Sequence, residues 1–154
     1  MNIEGRESII EELTKAYCME LETVTNFLAN SIVLDGVRAE EIKKSLAADV
    51  DGELAHARDL GERIKQLGGT VPGSLALSLS QDALQPPAQT TDVIGVIEGV
   101  ITAENAAIDQ YDRIIRQCEG VDYVTQDLAI KLMADEEQHR TLFEGFLKEY
   151  RKAA

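Results

Sequence analysis

Tryptophan is absent from the 154 residues, and aromatic residues reach only 5%. Leu, Ile, Val and Ala must therefore fill any interior. Apolar types make up 44% of the chain, enough to bury a core, which excludes a wholly disordered polymer. Only three prolines occur, and 11 glycines show no period, so collagen-like and Pro-rich classes are out. Two cysteines, Cys18 and Cys118, cannot build a disulfide scaffold. No apolar run approaches the ~18 residues that a bilayer span needs, and the start lacks a basic head followed by an apolar stretch, so no signal peptide is expected. The expectation is a soluble cytoplasmic protein of one domain, 1–154. Basic residues are also scarce: 15 against 28 acidic, a net charge of −13. Such a surface repels phosphate backbones and anionic lipids, so neither nucleic acid nor membrane is an expected partner. Its field attracts cations.

Apolar residues recur at steps of three and four, the period of a helix with one buried face. A first seam runs Ile9, Leu13, Ala16, Tyr17, Val24, Phe27, Ser31, Leu34 and stops at Gly36. A second runs Ile42, Leu46, Val50, Ala57, Leu60, Ile64, Leu67 to Gly68-Gly69. A third follows Thr91-Asp92: Val93, Ile97, Val100, Ile101, Ile108, Tyr111, Ile114, Ile115, Cys118, ending at Gly120. The fourth is Leu128, Leu132, Phe143, Phe146, Leu147 and Tyr150, with Asp122 or a neighbour as its cap. The spacing predicts helices over about 7–35, 39–68, 92–119 and 122–150. Each is roughly 40–45 Å long at 1.5 Å per residue. The turns at Gly36 and Gly120 are short. The connection 69–91 is long and holds all three prolines, Pro72, Pro86 and Pro87. That pattern points to an all-α, ferritin-like four-helix bundle with a long crossover between helices two and three. A short helix over Ser74 to Leu84 is expected within the crossover. The alternative is an up-down bundle with a disordered middle loop.

Each seam skips a beat at a charged residue. Tyr17 and Val24 bracket Glu20, Val50 and Ala57 bracket Glu53, Ile101 and Ile108 bracket Glu104, and Leu132 and Phe143 bracket Glu136 and His139. One glutamate per helix thus points at the core. Two helices add histidine three residues on, Glu53-x-x-His56 and Glu136-x-x-His139, on the same helical face. These are the chain's only two histidines. By composition alone, Glu at both i−3 positions has a chance of about 1%. Four buried carboxylates repel one another and are costly to desolvate. Two divalent cations would cancel their charge. Carboxylate and imidazole suit iron or manganese better than calcium, and the lack of thiolates argues against structural zinc. The set matches the di-iron carboxylate plan of four-helix bundles. The spacing also repeats: Glu20 to Glu53 and Glu104 to Glu136 are nearly equal, and Phe27 and Tyr111 each follow a glutamate by two turns. The chain reads as two copies of one helical hairpin.

These residues resemble the ferritin-like superfamily, bacterioferritin above all. Tyr123 to Asp127 and Asp135-Glu136-Glu137-Gln138-His139 are similar to its last long helix, Glu104-Asn105 with Tyr111 to its third, and Glu53-x-x-His56-Ala57 to its second. The resemblance implies Glu20 and Glu104 as terminal ligands, Glu53 and Glu136 as bridges, and His56 and His139 on one metal each, for two Fe ions per subunit, with Mn possible. It implies these same six residues as the catalytic set of a ferroxidase that oxidises Fe(II) with O2 or H2O2 and mineralises iron in a cage. Bacterioferritin carries a haem-ligating Met directly after the second-helix glutamate. Leu54 stands there, so no haem of that kind is expected. Only 15 residues follow His139, which leaves no room for a fifth helix and resembles the twelve-subunit Dps-like miniferritins. The basic tail frequent in that group is absent. A Cys pair three residues before the third- and fourth-helix glutamates is absent too: Ile101 and Met133 stand there. The expectation is a Dps-like miniferritin with a bacterioferritin-type site and a homo-oligomer of twelve. The rivals are a rubrerythrin-like peroxidase or di-manganese catalase of small oligomeric size, and a metal-binding bundle without redox work.

Other polar residues have plain readings. Cys118 lies roughly 21 Å along the helix from Glu104, too far for a ligand, and reads as a buried small side chain. Cys18 reads as an ordinary thiol on the flank of its seam. Phe27, Tyr17 and Tyr111 read as packing residues, with Tyr111 and Tyr17 also within reach of a role near the metals. Glu137 and the acids Glu11, Glu12 and Glu22 read as solvated faces.

Overall fold

The computed structural model describes residues 1–153. Four helices form it: α1 Ile3–Val33, α2 Glu40–Gln66, α3 Val93–Cys118 and α4 Tyr123–Ala153. Two single turns of 3-10 helix, Val37–Ala39 and Ser74–Ala76, lie between them. Local chemistry sets the ends. α1 begins four residues earlier than its periodicity suggests, because the Asn2 side chain accepts a hydrogen bond from the Gly5 amide at 2.7 Å. Asp92 caps α3 in the same way at Gly95, and Asp122 caps α4 at Thr125. Gly36, Gly68 and Gly120 carry the chain out of its helices at φ of 101°, 87° and 69°. Side chains are strained there, so glycine at the three turns is what lets them close.

α1 packs along α2, α3 packs along α4, and the two hairpins meet chiefly through α1 and α3. The apolar core falls into two clusters. One joins Phe27 of α1 and Leu34 just past its end, Ile42 and Leu46 of α2, Ile97 and Val100 of α3, and Phe143 of α4. The other joins Ile9 and Leu13, Leu60 and Ile64, Tyr111 and Ile114, and Leu132. The start of α2 and the start of α3 therefore lie at one end of the bundle, and these two helices run parallel. Consecutive helices that run parallel need a connection that travels the bundle's length, which excludes the up-down alternative. The crossover leaves beside Ile10 of α1 at Gly69 and ends at the opposite turn, where Thr90 accepts from the Asp35 amide at 2.8 Å.

A ladder of polar residues on α1 fastens this strap. Both Glu22 carboxylate oxygens accept backbone amides, from Ser80 at 2.9 Å and Gln81 at 2.7 Å. The Gln81 side chain reaches Thr23 and Asn26, and Asn30 donates to the Leu84 carbonyl at 2.9 Å. Leu84 is buried in the first apolar cluster. Gly99 of α3 lets the strap lie flat, since a Cβ there would sit 2.4 Å from the Ala83 carbonyl oxygen. Two expectations are corrected here. The helix expected over Ser74 to Leu84 shrinks to the single turn Ser74–Ala76, because α1 takes the amides that a helix would use internally. Glu22 is buried, not solvated; its partners are distant in sequence, so periodicity could not reveal them. Glu11 is exposed and Glu12 half-buried.

Replacing Glu22 by Ala leaves two strap amides without their acceptor. We expect a loss of about 1–3 kcal/mol, measured by denaturant unfolding, because charged acceptors of buried amides lie in that range. Hydrogen exchange at Ser80 and Gln81 should quicken while the four helices keep their protection.

Candidate metal centre

Between the two apolar clusters lies a polar layer. α1 supplies Glu20, α2 supplies Glu53 and His56, α3 supplies Glu104, and α4 supplies Glu136 and His139. The four glutamates are each 1–2% exposed. His56 is also buried, while the His139 side chain keeps 22% exposure. The six residues form two overlapping groups whose ligand atoms lie within 4.8 Å of one another: Glu20, Glu53, His56 and Glu136, and Glu53, Glu104, Glu136 and His139. Glu53 and Glu136 belong to both. His56 Nδ1 lies 3.0 Å from Glu136 Oε1, 3.4 Å from Glu20 Oε2 and 3.5 Å from Glu53 Oε2. His139 Nδ1 lies 3.3 Å from Glu53 Oε1 and 3.7 Å from Glu136 Oε2.

A cation fits this donor set. Glu20 Oε2, Glu53 Oε1, Glu104 Oε2 and His139 Nδ1 are buried with no hydrogen-bond partner. Buried polar atoms without partners are rare, and these four sit in the two groups that share Glu53 and Glu136. Without a cation, protons offset the charge. Burial and repulsion from Glu53 push the Glu20 carboxyl up to about 8. Burial works against a charged His56, but the hydrogen bond to Glu136 and the nearby Glu20 and Glu53 carboxylates overcome it and raise its pKa far above the usual range. The carboxylates of Glu136 and Glu53, 3.7 and 3.3 Å from its Nδ1, raise His139 to about 10.

Around the six stand residues that sequence reasoning gave smaller parts or none. Tyr111 is fully buried in the second apolar cluster, yet its hydroxyl donates to Glu20 Oε1 at 2.7 Å, so it both packs and orients. Burial and the nearby Glu20 charge raise its phenol, which keeps it a neutral donor. Phe27, its counterpart in the repeat, only packs. Asp135 Oδ2 lies 3.0 Å from His56 Nε2. Asp49, one turn before Glu53, lies 4.0 Å from His139 Nε2, and burial raises its carboxyl. Asp135 sits directly before a site glutamate, where a helical seam gives no reason to look. Cys118 is buried in the second cluster, with its thiol pushed up to about 11 by burial. Cys18 is buried as well, and Glu137 is exposed. Among the described residues, no helix is long and apolar enough to cross a membrane.

The profile of the ferritin-like domain matches residues 10–153. The chain belongs to the ferritin-like family. A bacterioferritin of Desulfovibrio desulfuricans is 29% identical over 146 residues, covering 94% of this chain and 77% of that one. A solved structure of a bacterioferritin from that organism, described with its diiron site in different catalytic states, aligns over 97% of this chain and 83% of that one with a TM-score of 0.81 and 25% identity. A DNA protection during starvation protein of Pyrococcus furiosus is 28% identical over 145 residues, 92% of this chain and 77% of that one. The bacterioferritin-related protein of Bacteroides fragilis, described as a dodecameric thioferritin, shares the fold at a TM-score of 0.85 and 21% identity, over 96% of this chain and 89% of that one. This ferritin-like chain thus has the four-helix fold of that family, with a carboxylate and imidazole layer at its centre.

The pH dependence of the cation-free protein follows from that layer. Glu20 holds a proton up to about pH 8 when folded, against a usual 4.5, and His139 to about 10 against 6.5. Across these windows the folded chain binds more protons than the unfolded one, so stability falls as pH rises. Thermal melts in chelator should show the melting temperature declining from about pH 5 to pH 10. Glu20→Gln should flatten the part below pH 8. A melting temperature that holds or rises over this range would contradict the protonated layer.

Proposed function

We propose that this ferritin-like chain, acting over 1–154 as one di-iron unit, is a ferroxidase of an iron-storing cage. Two Fe(II) ions are its substrates. Glu53 and Glu136 are shared between them, Glu20 and His56 hold one, and Glu104 and His139 hold the other. The observation that carries this reading is the pair of overlapping groups with Glu53 and Glu136 in common, whose unpartnered atoms are buried together. The names of the relatives support it: bacterioferritin, and a bacterioferritin structure described by its diiron site.

Each Fe(II) supplies one electron, and the two together reduce O2 to H2O2, or H2O2 to two waters, with two protons taken up. The chain's part is to hold the ions side by side and to keep charge balanced. Four carboxylates offset four positive charges when the ions enter, and the protons on Glu20, His56 and His139 leave as they do. Oxygen-rich ligands also favour the ferric product over the ferrous substrate, because harder donors suit the harder ion. The same donor set accepts Mn(II).

Glu53→Ala and Glu136→Ala each remove a shared ligand. Stopped-flow absorbance of Fe(II) oxidation under O2 or H2O2 should fall by on the order of 100-fold or more in either variant, given that even indirect supports of metal ligands cost 10–100-fold. A wild-type rate would refute the ligand assignment. Saturating Mn(II) or Co(II) should raise the melting temperature of the wild type, since ligands that bind only the folded state stabilise it by mass action.

For the cage we propose twelve subunits, as in the dodecameric description of the Bacteroides fragilis protein. Twelve chains of 16.9 kDa make about 200 kDa in a closed point group. Light scattering coupled to size exclusion should read that mass. A stable dimer would instead favour a non-storage peroxidase, and a mass near twice the expected one a larger shell.

A further inference from the structure

The helical repeat makes the two ends of the metal layer look equivalent, but their supports differ. Glu20 is fixed from behind by the Tyr111 hydroxyl at 2.7 Å. Tyr111 is fully buried among Ile9, Leu13 and Leu60, so its ring cannot swing away. That bond occupies Oε1 and leaves Oε2, buried and unpartnered, on the side of His56 Nδ1. In the repeat, the residue that corresponds to Tyr111 is Phe27, seven after Glu20 as Tyr111 is seven after Glu104. Phe27 has no hydroxyl to give to the Glu104 end.

The histidines differ in the same direction. Asp135 lies 3.0 Å from His56 Nε2, within hydrogen-bond range. A carboxylate there accepts from a protonated Nε2, so Nδ1, which faces the glutamates, is the nitrogen that gives up its proton to a cation. Such carboxylate–histidine pairs fix the ring and raise its strength as a ligand. On the other side, Asp49 stands 4.0 Å from His139 Nε2, too far for that bond. His139 is also more open, its side chain 22% exposed against 7% for His56.

The geometry points to two unequal cation positions that fill in a fixed order: Glu20 and His56 take the first divalent ion, and Glu104 and His139 take the second. Tyr111 and Asp135 are the positioning residues that set this order. Ligands already held in place give up less freedom when the ion arrives. At the second position, Glu104 and His139 lack these supports. This inference rests on the ligand reading above.

The experiment uses Co(II) with the full-length protein as purified. Calorimetric titration should resolve two steps, the first tighter by roughly 10–100-fold, the range that supporting hydrogen bonds confer. In crystals prepared with one equivalent of Co(II) per chain, anomalous density should lie between Glu20 and His56. Tyr111→Phe and Asp135→Asn should each weaken the first step toward the second and spread the density over both positions. Tyr111→Phe keeps the packed ring, so a first step that weakens while the second keeps its affinity separates positioning from a structural role. Asp135→Glu should restore part of the loss. A single step with evenly split density, or density at Glu104 and His139 first, overturns the order while leaving the proposed ligand set intact. Absence of Co(II) from the whole layer removes both. Variants that leave the first step untouched overturn the roles given to Tyr111 and Asp135.

Discussion

Four carboxylates buried in the middle of a helical bundle set the terms for the rest of this molecule. Each would prefer water, and together they repel. The chain tolerates them because the cost is confined to one layer. On either side, Phe27, Ile42, Ile97 and Phe143, and Leu13, Leu60, Ile114 and Leu132, close the bundle with apolar contacts that do not involve the acids. The helices are thereby held at a fixed spacing from both ends. The charged layer can then trade protons for cations without the frame coming apart. A layer held in this way offers ions an existing geometry, in contrast to small metal domains that fold around their metal.

The order of helices serves the same layer. Placing α2 parallel to α3 and antiparallel to α4 brings Glu53-x-x-His56 opposite Glu136-x-x-His139, so that their shared glutamates meet. That arrangement demands a strap along the whole bundle, and an unsupported strap of this length would carry a large entropy cost. Glu22, Thr23, Asn26 and Asn30 meet that cost from one face of α1. α1 therefore has three jobs along its length: apolar closure at both ends, a ligand candidate at Glu20, and the rail for the crossover.

Much of this was legible in the sequence because two periods collided there. A helical seam interrupted by glutamate in all four helices, with histidine three residues later in two of them, is rare enough to name the six residues without coordinates. The long connection with all the prolines gave the topology. What periodicity could not reach were contacts between distant residues. Glu22 looked like one more solvated acid, because Ser80 and Gln81, its partners, lie almost 60 positions away. The crossover turn looked helical from Ser74 to Leu84, because composition says nothing about which backbone amides another helix will claim. Helix starts at Asn2 and Asp92 depend on one side-chain hydrogen bond each, which a seam does not register.

Asp135 and Tyr111 show a further limit of pattern reading, and a physical reason for it. A repeat detects what two halves share, and the shared residues are the candidate ligands. The supports behind the ligands are where the halves depart: Tyr111 against Phe27, and a bonded Asp135 against a distant Asp49. Those departures cost little in packing. Phe27 and Tyr111 are both fully buried in apolar clusters, and Asp135 stands at the edge of the layer with 43% of its side chain exposed. A hydroxyl and a carboxylate can thus be changed on one side without disturbing the bundle. The frame fixes where two cations could sit, and the less constrained surroundings decide how tightly each would be held.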